Sequence, residues 1–104
     1  MEMQVVAVYD EKAKAYLPPF FQPNDAMAVR IFTDCVNDEN GHPFSIHPED
    51  YTLYKIGTFD DATGTIEPVN PSPLAHGPSV LGVSNGSATQ EQPVKQIGDE
   101  SSVQ

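Results

Sequence analysis

Residues 47–67 gather Glu49, Asp50, Asp60, Asp61 and Glu67 with His47. These are the residue types that ligate calcium or zinc, or that move protons in hydrolysis. A calcium loop sets its acids at alternating positions, with a glycine midway and a glutamate to close it. "DDATGTIE", residues 60–67, gives adjacent acids followed by Ala-Thr-Gly, which is turn chemistry. Neighbouring residues on a strand point to opposite faces, so neither acidic doublet is expected to converge. The stretch reads as a hairpin with a capped turn before it, and no metal site is expected.

The second candidate set is Cys35 with His42, His47 and His76. Structural zinc takes four ligands, normally as two closely spaced pairs. His42 and His47 supply one tolerable pair, and the second is missing. Cys35 falls on an apolar helical stripe, where a lone cysteine acts as a small hydrophobic residue. The glycines are scattered, and none lies between a strand and a helix start to cradle phosphate. The sequence therefore predicts no catalytic residue and no cofactor.

The elements that position these residues follow from periodicity. "MQVVAVYD" is β-rich and apolar on both faces, which suits a strand inside a sheet rather than at its rim. In "EKAKAYLPPFFQP" the Pro18–Pro19 pair excludes a helix, leaving a connector. Tyr16, Leu17, Phe20 and Phe21 are expected to pack over the core as a lid. "NDAMAVRIFTDCVND" is a helix, capped by Asn24, with Ala28, Val29, Phe32, Cys35 and Val36 in one stripe. Gly41 suits the left-handed turn of its exit. "HPFSIHPED" reads as a loop closing in a single turn at Pro48. "YTLYKIGTF" and "TIEPV" then form a hairpin through "DDATG", with a bulge expected at Gly57. The predicted fold class is α+β. One helix packs on a three-stranded, mostly antiparallel sheet in the order β-α-β-β.

Residues 1–69 form the predicted domain and hold all four tyrosines and all five phenylalanines of the 104-residue chain. Residues 70–104, rich in Pro, Ser, Gly and Asn, are predicted to stay disordered, having too little apolar surface to offset chain entropy. A folded part this small makes self-association plausible. The formal net charge is −10, and twelve of the fifteen acids lie in the domain. Such a surface repels phosphate backbones, so direct binding of single-stranded DNA through tyrosine stacking is disfavoured by charge. No run approaches the roughly 18 apolar residues of a membrane span. The single cysteine offers no intrachain disulfide framework. Both features point to a cytoplasm.

"VYDEKAKAYLPPFF", "NDAMAVRIFTDCVND" and "HPEDYTLYKIGTFDDATG" resemble the small nonstructural protein of gokushovirus-type microviruses, phages with single-stranded circular DNA genomes. The resemblance covers about residues 3–69. It implies a non-enzymatic protein of the host cytoplasm, often described as nonstructural or DNA-binding. It also implies a counterpart of the C protein, which acts at the switch to single-stranded genome synthesis and packaging. That family offers no site residues to carry over. Charge and resemblance together favour a protein partner, either the replication initiator or a capsid or prohead protein. Glu49, Asp50, Tyr51, Tyr54, Asp60 and Asp61 are the expected contact residues. The alternatives are direct single-stranded DNA binding and an acidic decoy of a host factor. The decoy requires Asp34, Asp38, Glu49, Asp50, Asp60 and Asp61 on one side.

Overall fold

The computed structural model describes residues 1–83. The central strand is β1 (Glu2–Asp10), buried continuously from Val5 to Val8. It is flanked on both sides, as its two apolar faces predict. β4 (Tyr51–Asp60) runs antiparallel along its whole length. On the other side the connector supplies two short strands: β2 (Ala15–Tyr16) against Tyr9 and Asp10, and β3 (Phe20–Gln22) against Gln4 to Val6. Two residues of β2 and three of β3 suffice because they only extend an existing ladder. β5 (Thr65–His76) pairs with β4, and the sheet is five-stranded. The α+β class and the antiparallel pairing hold, and the connector enlarges the expected three-stranded sheet.

α1 (Asp25–Val36) lies across one face. The Asn24 side chain accepts from the Met27 N–H at 2.9 Å, so the expected cap is in place. Ala28, Phe32 and Val36 are buried against Val6, Val8 and Leu53. The helix ends at Asn37, and Gly41 takes its positive φ four residues later, in the following loop. The stretch expected as loop contains a short helix, α2 (Pro43–Ile46), before the expected single turn at Pro48–Asp50. His42 caps α2, its Nδ1 accepting from the Phe44 N–H at 3.0 Å.

The bulge sits where expected. Val5 opposes Gly57 and Val6 opposes Lys55, so Ile56 is the extra residue. Gly57 fits because a Cβ there would stand 2.7 Å from the Glu67 carbonyl oxygen. The "DDATG" turn also forms as read: Gly64 adopts φ +75° and Asp60 Oδ1 accepts from the Ala62 N–H at 2.9 Å.

The expected boundary at residue 69 falls inside β5. The strand passes an irregularity at residues 69–71, re-pairs at Ser72 with Lys55, and reaches His76 opposite Thr52. A short helix, α3 (Gly77–Val80), follows, and Leu74, Ala75 and Val80 pack on the core. Pro68 falls in the expected strand, and Pro71 and Pro73 in the stretch expected to be disordered, yet an edge strand has only one side to pair and tolerates all three. The rest of the expected tail, residues 84–104, lies outside the described residues.

Candidate functional site

Residues opposite one another in an antiparallel pair share a face, and faces alternate along each strand. Val6, Val8 and Leu53 therefore look toward the helices, while Val5, Ala7 and Tyr9 look away. The register puts Phe21 and Gly57 beside Val5, Tyr54 beside Ala7, Tyr16 beside Tyr9, and Phe59 beside Met3. All three helices send side chains to the core on the opposite side, through Phe32, Phe44 and Val80. Among the described residues, no helix covers this second face.

Its surface is aromatic. Tyr9, Tyr16 and Tyr54 meet edge to face, with ring centroids 4.9 Å (Tyr9–Tyr16) and 5.7 Å (Tyr16–Tyr54) apart. Phe21 and Phe59 form a second pair at 5.4 Å. These rings roof Ala7, which is fully buried although no helix reaches it. Tyr16 and Phe21 remain 44% and 40% exposed, too much for a finished core. None of the register-paired residues on this face is Asp, Glu, Lys or Arg. The acids stand instead at the sheet ends, in the turns and on the helix side.

The expected contact residues do not form one patch. Glu49 and Asp50 lie on the turn that enters β4, and Asp60 and Asp61 lie at its other end. The nine residues 51–59, roughly 30 Å of strand, separate the doublets. Tyr51 packs on the helix side, 4.5 Å from Phe44, and only Tyr54 belongs to the aromatic face. The lid expected from the connector also divides. Leu17 and Phe20 pack on the core, whereas Tyr16 and Phe21 turn to the aromatic face.

His47, Glu49 and Asp50 do converge, with ligand atoms all within 4.8 Å of one another. The single turn brings them together, which strand alternation did not predict. They are three ligand atoms on an open turn, with His47 Nδ1 3.8 Å from Glu49 Oε2. Calcium takes six to eight oxygens and structural zinc four ligands, so the set is short for either. Cys35 is half-buried, and its pKa is pushed up to about 11 by burial, with Asp34 and Asp38 adding to the rise. A nucleophilic cysteine needs the opposite environment.

The aromatic face draws on four strands, and no contiguous stretch carries it. Its one signal in the sequence is parity: Tyr9 and Tyr54 fall on the positions that oppose the helix-facing Val8 and Leu53. Comparison with known proteins gives one result. Residues 3–80 match the family described as Phage ORF5 protein. No curated protein and no solved structure matches the chain.

Proposed function

The chain belongs to the Phage ORF5 protein family, and from that premise we propose that it acts without catalysis, by binding a protein partner through the aromatic sheet face. In keeping with its resemblance to the microvirus nonstructural protein, the partner is the phage replication initiator or a capsid or prohead protein. The setting is replication and packaging of a single-stranded DNA genome in the host cytoplasm. The observation that carries this reading is an exposed aromatic surface without charged residues on a chain of net charge −10. Aromatic side chains in a desolvated centre with charges outside it are the usual anatomy of a protein interface.

The test is a nuclease-treated capture from infected cells, comparing the wild-type chain with a Tyr16→Ser/Tyr54→Ser variant. Recovery of initiator or capsid protein that survives nuclease and is lost in the variant is the expected result. Recovery that disappears with nuclease for the wild-type chain overturns it.

One observation favours a second reading. Three tyrosines on an open sheet face make a platform on which bases of single-stranded DNA stack. Direct DNA binding predicts quenching of tyrosine fluorescence by oligothymidine at physiological salt. Purified chain that shows none leaves the protein partner as the reading.

A further inference from the structure

The loop between α1 and α2 holds a reactive dipeptide. Asn40 and Gly41 are exposed and belong to neither helix. The side-chain amide of an asparagine is open to attack by the backbone nitrogen of the next residue, which closes a five-membered ring. A side chain on that next residue crowds the closure, and glycine has none. Nothing lies within 4 Å of where a Cβ on Gly41 would stand, so no neighbouring part of the fold crowds it either. The N–H groups on both sides, of Asn40 and His42, donate to Asp38 Oδ2 at 2.9 and 3.1 Å. Among the described residues, the Gly41 N–H between them has no acceptor.

The other described asparagines are held or blocked. Asn24 accepts from the Met27 N–H as the cap of α1. The Asn37 amide nitrogen donates to the Thr33 and Val80 carbonyls, and its oxygen accepts from the Gly82 N–H. Asn70 precedes Pro71, whose nitrogen carries no hydrogen. Asn85–Gly86 repeats the dipeptide and lies outside the described residues.

We propose that Asn40 is a site of spontaneous covalent modification in the folded chain, and that the modification disturbs the cap of α2. The Gly41 nitrogen loses its proton to solvent and bonds to Asn40 Cγ. The Cγ–Nδ2 bond breaks, and ammonia leaves with a proton from solvent. Water then adds to one carbonyl of the succinimide ring and breaks its bond to the Gly41 nitrogen. Opening at Cγ gives aspartate, and opening at the main-chain carbonyl gives isoaspartate. No oxidant or reductant is needed. Either product adds one negative charge near Asp38, on a chain of formal net charge −10. Isoaspartate also routes the main chain through Cγ, which lengthens it by one atom between the two N–H groups that Asp38 Oδ2 bridges. His42 caps α2 by accepting from the Phe44 N–H at 3.0 Å, so a strained bridge is passed on to α2. The inference is independent of the partner reading and holds whichever molecule meets the aromatic face.

The experiment is incubation of the full chain at pH 8 for several days, in buffer and in urea, with tryptic peptides read by mass spectrometry. The peptide Ile31–Lys55 carries both Asn37 and Asn40, and its fragment ions separate them. In the folded chain Asn40 should change from amide to acid at least tenfold faster than Asn37. It should also change no more than tenfold slower than it does in urea. Asn40→Gln keeps an amide but must close a larger ring, and should slow the change at that position at least tenfold. Amide NMR of the labelled, aged chain should show shifts at His42 and Phe44. Asn40→Asp adds the charge without lengthening the main chain and should reproduce those shifts only in part. Asn40 that persists in the folded chain while converting in urea, or that converts no faster than Asn37, overturns the site. Conversion that leaves the His42 and Phe44 signals in place overturns its effect on α2.

Discussion

Asn37 and Gly82 stand 45 residues apart and meet: the Asn37 Oδ1 accepts from the Gly82 N–H at 2.5 Å. The amide nitrogen of the same side chain donates to the Val80 carbonyl at 3.0 Å and to the Thr33 carbonyl at 2.9 Å. One side chain thus finishes α1 and fastens the segment after β5 to it. Asn37→Ala removes these bonds; the Thr33 and Val80 carbonyls still accept from the Asn37 and Val83 N–H groups, while the exposed Gly82 N–H loses its partner, which should cost about 0.5–1.5 kcal/mol. Urea denaturation of wild type and variant measures it, and an unchanged midpoint would show that α3 is held by Val80 packing alone.

The same latch bears on where the fold ends. A chain stopped at Val69 loses Leu74, Ala75 and Val80 from the core, and the β5 partners of Thr52 to Lys55 on β4. It should fail to unfold cooperatively, read by circular dichroism on heating. A sharp transition at the wild-type temperature would mean that residues 70–80 add nothing to the core.

Gly57→Ala puts a methyl group against the Glu67 carbonyl across the bulge, and β5 must move to admit it. The expected loss is about 1–3 kcal/mol, measured by the same denaturation. A variant as stable as the parent would show the hairpin pliant at that point.

Cys35 should be slow to react. With its pKa at about 11 rather than the ordinary value of 9.0, the thiolate at pH 8 is about 100-fold scarcer than in the unfolded chain. Iodoacetamide labelling followed by mass spectrometry should show that ratio between native and urea-denatured protein. Equal rates would contradict the burial of the thiol.

His42 sets a pH dependence. Burial lowers its pKa, against a smaller upward pull from Asp38. The neutral ring is also the form whose Nδ1 can accept the Phe44 N–H. The unfolded chain takes up a proton near pH 6.5 while the folded chain resists it, so unfolding is favoured as pH falls. This contribution to stability is complete above pH 6.5 and declines through the window below it. Denaturation midpoints at pH 7.5 and 5.0 should differ more in the wild type than in His42→Asn, which keeps a capping oxygen. An identical pH response in the two would remove His42 from the account.

Local chemistry was legible in the sequence wherever one stretch decided it. Asn24 capped the helix, the Ala28–Val36 stripe faced inward, and "DDATG" turned with Gly64 at positive φ. The Gly57 bulge followed from a break in parity. Features that depend on distant partners were not legible. The stretch from Asn70 through Pro71 and Pro73 read as a polar tail because composition does not reveal that β4 goes on pairing from Ser72 to His76. Tyr51 and Tyr54 are three residues apart and lie on opposite faces, so an aromatic run read as one rim divides between core and surface. The acidic doublets are neighbours in the sequence motif and lie at the two ends of β4.

Among the described residues, neither border of the sheet offers another strand a continuous row to copy. On one side β2 and β3 cover β1 in two fragments, and on the other β5 presents prolines and an irregular stretch instead of a continuous row of donors. A domain bounded in this way resists stacking strand on strand into fibrils, even at high concentration. On the proposed reading, a partner would meet the faces of the sheet rather than its borders.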